Sequence, residues 1–297
     1  MLSRPQWLSL VSPVIVCLVA YGFMLFMGPS QHAQPNTASA TETRVVNEIL
    51  LHSTRSPTKE MPTSVPAKLT AIVHDAAIKH TATVIFLHGF GDSGAGWAPV
   101  GEQLGVHLPH VKFIFPNAPA IPIAVNEGML TPAWYNILSM STISREQDEQ
   151  GLLRSQQQVM QIIREEVEKN KIPSHRIVIG GFSQGCVLGL LTALTSELKF
   201  AGVVSLSGYM PLHTKIMSMA TDANKKTPIF FGHGDADQVV KYEYGQQTAE
   251  FLQTHGYNVK LHTYPRMGHS VCPEELGDLL GFLKETIPEA TPVMAKV

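Results

Sequence analysis

The sequence predicts an α/β fold, a mostly parallel twisted sheet flanked by helices. Three observations carry this. Short apolar, strand-like runs alternate with helical segments from about Leu69 to Pro288. Gly181-Phe182-Ser183-Gln184-Gly185 stands where one such run turns straight into a helical stretch. Two later strand-like runs each lead at their C-terminal ends into a turn carrying an acid or a base, on the edge where α/β folds assemble their sites.

The chain opens with Trp7 to Met27, an almost wholly apolar stretch without a charge, long enough to cross a hydrocarbon core of about 30 Å as a helix. Gly28-Pro29-Ser30 is a poor cleavage site, so residues 1–29 are expected to form a signal anchor and one N-terminal transmembrane helix. Residues 30–68 are rich in Ser, Thr, Ala, Pro and Gln, the composition of a disordered linker. A single α/β domain follows over 69–288, and 289–297 form a C-terminal tail. Arg4 and the terminal amine are the only positive charges near the anchor, and they favour a cytosolic N-terminus with the domain across the membrane.

Within the domain, Thr83 to Leu87 reads as a strand and His88 to Gly94 as the loop after it. Gly89, Gly91 and Gly94 also fit the dinucleotide fingerprint G-x-G-x-x-G. That reading requires an acid about 20 positions on, and the next strand, Val111 to Phe115, ends in Pro116-Asn117-Ala118-Pro119 with none. Ala118 to Leu138 is apolar and too irregular for a helix; Ile121, Met129, Leu130 and Trp134 either pack it onto the core or line an apolar channel. Asp148 to Asn170 has the period of an amphipathic helix, with Leu152, Val159, Ile163 and Val167 near one face, and reads as scaffold.

Arg176 to Gly180 is a strand and Cys186 to Leu194 the start of a helix, which makes the intervening pentapeptide a nucleophile elbow of the α/β-hydrolase type. Its glycines leave room for a turn so close that a Cβ would clash, and Ser183 becomes the candidate nucleophile. A serine needs a base and an orienting acid, expected later in the chain in the order acid, then histidine. Pro228 to His233 is a strand that leads into Gly234-Asp235-Ala236-Asp237, and Asn258 to Tyr264 is a strand that leads into Met267-Gly268-His269-Ser270. Asp237 is preferred as the acid because Asp235, directly after Gly234, is suited to bonding nearby backbone N–H groups in the turn. His269 is preferred as the base; His262 lies mid-strand, and His233 ends a strand without a glycine to free it. The oxyanion hole is expected from the backbone N–H groups of Gln184 and Phe90.

A formal net charge of −2 gives no reason to expect nucleic acid as a partner. The 13 histidines include no H-E-x-x-H, and no pair of Cys-x-x-Cys accompanies them, so no metal site is read. The three cysteines give no disulfide framework, and the chemistry needs no cofactor.

Several linked motifs identify a resemblance. They are Leu87 to Gly94 with Gly96-Trp97, Pro116-Asn117-Ala118-Pro119, Trp134, Ile172-Pro173 with Arg176, Gly180 to Gly185, Gly234 with Asp237, and Gly268-His269-Ser270. From about Ala82 to Ile287 the chain resembles the acyl-protein thioesterases, in the phospholipase/carboxylesterase group of α/β-hydrolases. The resemblance places the nucleophile, acid and base on Ser183, Asp237 and His269, and implies an acyl-binding flap around Trp134. It also implies hydrolysis of long-chain acyl thioesters, chiefly palmitoyl groups on protein cysteines, weaker action on lysophospholipids, and a cytoplasmic catalytic domain. That location conflicts with the charge bias of the anchor. Two departures stand out: Cys186 replaces a usual glycine after the elbow, and Asn136 replaces an aspartate. Two alternatives are a broad carboxylesterase or lysophospholipase with the same triad, and a membrane-tethered binding protein without catalysis.

Overall fold

The computed structural model describes residues 67–139 and 147–290. The apolar segment Trp7 to Met27, the linker up to Pro66 and the end of the tail lie outside the described residues. Among the described residues no helix is long and apolar enough to cross a membrane.

Strand-forming runs here are apolar on both faces, as a sheet covered by helices on both sides requires. The central sheet contains β1 (Ala71–His74), β2 (Ala82–Leu87), β3 (Val111–Pro116), β6 (Ile177–Phe182), β7 (Gly202–Leu206), β8 (Ile229–Gly234) and β9 (Val259–Tyr264). Their order is β1-β3-β2-β6-β7-β8-β9, and only β1 runs antiparallel to its neighbour. Alternate side chains go to opposite layers. Ile85, Leu87, Ile179 and Phe231 face the layer of α2 (Glu149–Glu168), α3 (Gln184–Thr195) and α5 (Tyr242–Thr254). Val84, Phe86, Phe182 and Phe230 face α1 (Gly94–His107) and α6 (Pro273–Thr286). A short α4 (Ile216–Met219) lies between β7 and β8.

Helix α2 has the face read from its sequence: Leu152, Val159 and Ile163 are fully buried, and the Asp148 side chain caps it by accepting the Gly151 N–H at 2.9 Å. The segment after β3 differs from expectation. Ala120–Ile123 (β4) and Met129–Pro132 (β5) form a two-stranded antiparallel ribbon in place of an irregular flap. Two prolines obscure its strand pattern, and its stability rests on pairing that no single run displays.

The chain runs from β2 to β3 on one side, then returns to lay β6 on the other side of β2. The loops leaving β2 and β6 therefore diverge, opening a crevice at the C-terminal ends of the strands, where this architecture places its ligands.

Candidate active site

Ser183 sits directly after β6 with φ 53° and ψ −117°, a conformation that side chains other than glycine rarely adopt. The sharp turn is possible because α3 and β6 press against the end of β2. A Cβ on Gly181 or on Gly185 would collide with the same Leu87 carbonyl oxygen. The Ser183 N–H donates to the Leu206 carbonyl of β7 at 2.8 Å, tying the strained residue into the sheet.

The three candidate residues from β6, β8 and β9 meet at this turn. His269 Nε2 lies 2.9 Å from Ser183 Oγ, and its Nδ1 lies 2.7 Å from Asp237 Oδ2. A carboxylate only accepts, so the ring proton sits on Nδ1 and Nε2 is left to receive the serine proton. The imidazole rests on Phe182, ring centroids 4.7 Å apart. Asp237 Oδ1 accepts the N–H groups of Val239 at 2.8 Å and Val240 at 3.0 Å. Burial by itself would raise the Asp237 carboxyl; the approach of His233, the hydrogen bond and charge of His269 and the Val239 N–H outweigh it and hold the group well below the usual carboxylate range.

Asp235 takes no part in this cluster. Its Oδ1 accepts the N–H of Arg266 at 2.5 Å, so it bonds across to the loop that carries His269, not within its own turn as the sequence led one to expect.

Beside Ser183 lies the loop after β2. A Cβ on Gly89 would be 3.5 Å from the Ser183 Cβ, which shows how closely the loop approaches. Neither the Phe90 nor the Gln184 N–H donates to an acceptor among the described residues, leaving both for a ligand. His88 braces this loop. Its Nδ1–H donates to the Gly89 carbonyl at 2.7 Å and its Nε2 accepts the Ala118 N–H at 3.0 Å.

Trp134 requires a correction. It is 1% exposed, its indole N–H donates to the His88 carbonyl at 2.8 Å, and its backbone carbonyl accepts the Ser155 hydroxyl. It offers no surface to a substrate and acts as a brace of the loop. The ribbon β4–β5 joins the same loop through Gly91 N–H to the Pro132 carbonyl, 2.9 Å. Ile121 pairs with Thr131, the residue that faces Gly91, and the alternation puts Met129 on that face and Leu130 on the other. Met129 and Leu130 are 54% and 67% exposed.

Residues 69–287 match the family model described as phospholipase/carboxylesterase. The chain belongs to that family. Acyl-protein thioesterase 1 of Mycosarcoma maydis is 47% identical over 226 residues, covering 72% of this chain and 94% of that protein. Acyl-protein thioesterase 1 of Neurospora crassa is 48% identical over 222 residues, 72% of this chain and 90% of that protein. Among solved structures, acyl-protein thioesterase 2 of Zea mays matches with a TM-score of 0.67 at 27% identity, over 74% of this chain and 99% of that one. SOBER1 of Arabidopsis thaliana matches with a TM-score of 0.66 at 31% identity, over 70% and 99%.

The two departures from the phospholipase/carboxylesterase pattern are accommodated locally. Cys186 lies under the elbow with its Sγ 2.7 Å from Ser205 Oγ, and burial pushes its thiol up to about 12, far from a reactive thiolate. Burial likewise pushes the half-buried Cys272 up to about 11. Asn136 Oδ1 accepts the Ala124 N–H at 2.8 Å, a bond for which either an amide or a carboxylate oxygen serves.

Proposed function

We propose that the protein is a serine hydrolase that removes long-chain acyl groups, palmitoyl above all, from S-acylated protein cysteines. One observation carries the chemistry: Ser183 Oγ, His269 and Asp237 form a continuous hydrogen-bonded relay next to two unused N–H donors. The substrate class is supported by the relatives, which are named acyl-protein thioesterases.

In this reading His269 Nε2 takes the Ser183 proton as Oγ attacks the thioester carbonyl, and ionised Asp237 stabilises the imidazolium. Charge then grows on the carbonyl oxygen, where the Phe90 and Gln184 N–H groups receive it. Collapse expels the cysteine thiolate, which collects the proton from His269. Water, deprotonated by the same imidazole, hydrolyses the acyl-enzyme. Ile121 and Met129 bind the acyl chain from the ribbon beside the oxyanion loop, and Leu130, on the opposite face, meets the part of the lipid that emerges. The apolar N-terminal segment holds the enzyme at a membrane.

The second reading, a broad carboxylesterase or lysophospholipase, uses the same atoms and is supported by the family description. Rates on matched palmitoyl thioester, palmitoyl oxyester, short-chain ester and lysophospholipid substrates separate the two. A preference for the long-chain thioester is expected; faster turnover of the short ester or the lysolipid overturns the first reading. Failure of a fluorophosphonate to label Ser183 overturns both.

A further inference from the structure

We propose that His233 is a positioning residue for Asp237, a fourth member of the relay, and this rests on the catalytic reading given above. The sequence set His233 aside as the end of a strand. In the fold its ring is fully buried at the end of β8, parallel to Phe231 at 6.5 Å and edge-on to Tyr242 of α5 at 5.8 Å. Its Nε2 is 2.8 Å from the Val240 carbonyl and 3.3 Å from Asp237 Oδ2, the oxygen that holds His269. A carbonyl only accepts, so the ring proton is on Nε2.

That N–H acts on Asp237 by two routes. It fixes the carbonyl of Val240, the residue whose own N–H holds Asp237 Oδ1, and so closes the turn 237–240 around the carboxylate. It also sets a positive hydrogen edge against Oδ2, favouring the carboxylate whose other bond directs His269. The opposite nitrogen, Nδ1, is buried without a partner among the described residues, and it faces α5 where a Cβ on Gly245 would strike it. A ring retained only for packing would gain from an apolar side chain at that edge. The Nε2 edge accounts for a histidine at this position.

The test is steady-state kinetics on a long-chain thioester, with thermal unfolding, for the wild type, His233→Leu, His233→Gln, Asp237→Asn and Ser183→Ala. His233→Leu is expected to lower kcat on the order of 100-fold with KM within about threefold, and His233→Gln, which carries an N–H at similar reach, to recover to within about tenfold of wild type. Nitrogen-15 correlation spectra of the wild-type imidazoles need no variant to fold and are expected to show His233 protonated at Nε2 alone. The proposal is overturned by a wild-type kcat in a folded His233→Leu protein, by a Gln variant no better than Leu, or by protonation at Nδ1. Full activity in Asp237→Asn or Ser183→Ala would instead overturn the catalytic reading itself.

Discussion

Gln184 holds Trp134 and Tyr135 in place with one side chain: its Oε1 accepts the Trp134 N–H and its Nε2 donates to the Tyr135 carbonyl, each at 2.8 Å. The residue that contributes a free N–H beside Ser183 thus also fastens the segment that braces the oxyanion loop through His88. Gln184→Ala leaves a buried donor and acceptor unpaired. It is expected to cost about 1–3 kcal/mol of stability and to lower kcat more than it raises KM. Thermal unfolding and steady-state kinetics measure the two effects.

Asp237→Asn is expected to fold and to lose on the order of 10⁴ in kcat, because an amide can present its N–H to His269 and favour the wrong tautomer. Asp235→Asn retains an oxygen for the Arg266 N–H and is expected to stay within about tenfold of wild type. The opposite ranking would assign the acid to Asp235.

Ser183 occupies its positive φ at an expected cost of about 1–3 kcal/mol. Ser183→Gly relieves that strain and removes the nucleophile, so it should unfold at a higher temperature than the wild type while hydrolysing nothing. A lower melting temperature would show that the elbow is unstrained.

Glu275 is fully buried, and burial outweighs the approach of the Cys272 backbone N–H and pushes its carboxyl up to about 8. The folded state therefore keeps this proton at pH values where the unfolded chain, near 4.5, has lost it. Stability from this group is whole below about pH 4.5 and declines as pH rises toward 8, on the order of 1 kcal/mol per pH unit. Denaturation at pH 5.5 and 8 measures the slope, and Glu275→Gln should flatten it. An equal slope in the variant would refute the assignment.

Ile121 and Met129 are expected to matter in proportion to acyl chain length. Ile121→Asp should raise KM for a palmitoyl thioester at least tenfold and leave an acetyl ester within about twofold, since a charge in an apolar channel penalises only the chain that reaches it. Equal losses on both substrates would place Ile121 outside the acyl path.

Much of the site was legible in the sequence. Ser183 was readable because the two glycines report a backbone approach that the Leu87 carbonyl makes obligatory. The strand-then-loop rule led to Asp237 and His269, although the argument against Asp235 named the wrong bond: its partner, Arg266, belongs to a loop that only the pairing of β8 with β9 brings near. The residues left Trp134 open between core packing and channel lining, and the family resemblance tipped it to the channel, because an aromatic residue in an apolar loop carries no local sign of whether its N–H is spoken for. The β4–β5 ribbon was missed because its register is a pairing of separate short segments, Ile121 with Thr131 among them.

The sequence by itself singled out Ser183, Asp237 and His269 as the candidate residues and indicated the layered order of the domain, because turn sterics and apolar periodicity act between near neighbours in the chain. The tertiary structure alone decided the duties of Gln184, His233, Trp134 and Glu275. Each depends on which carbonyl, N–H or Cα ends up within about 3 Å, and such distances are set by packing between elements far apart in sequence.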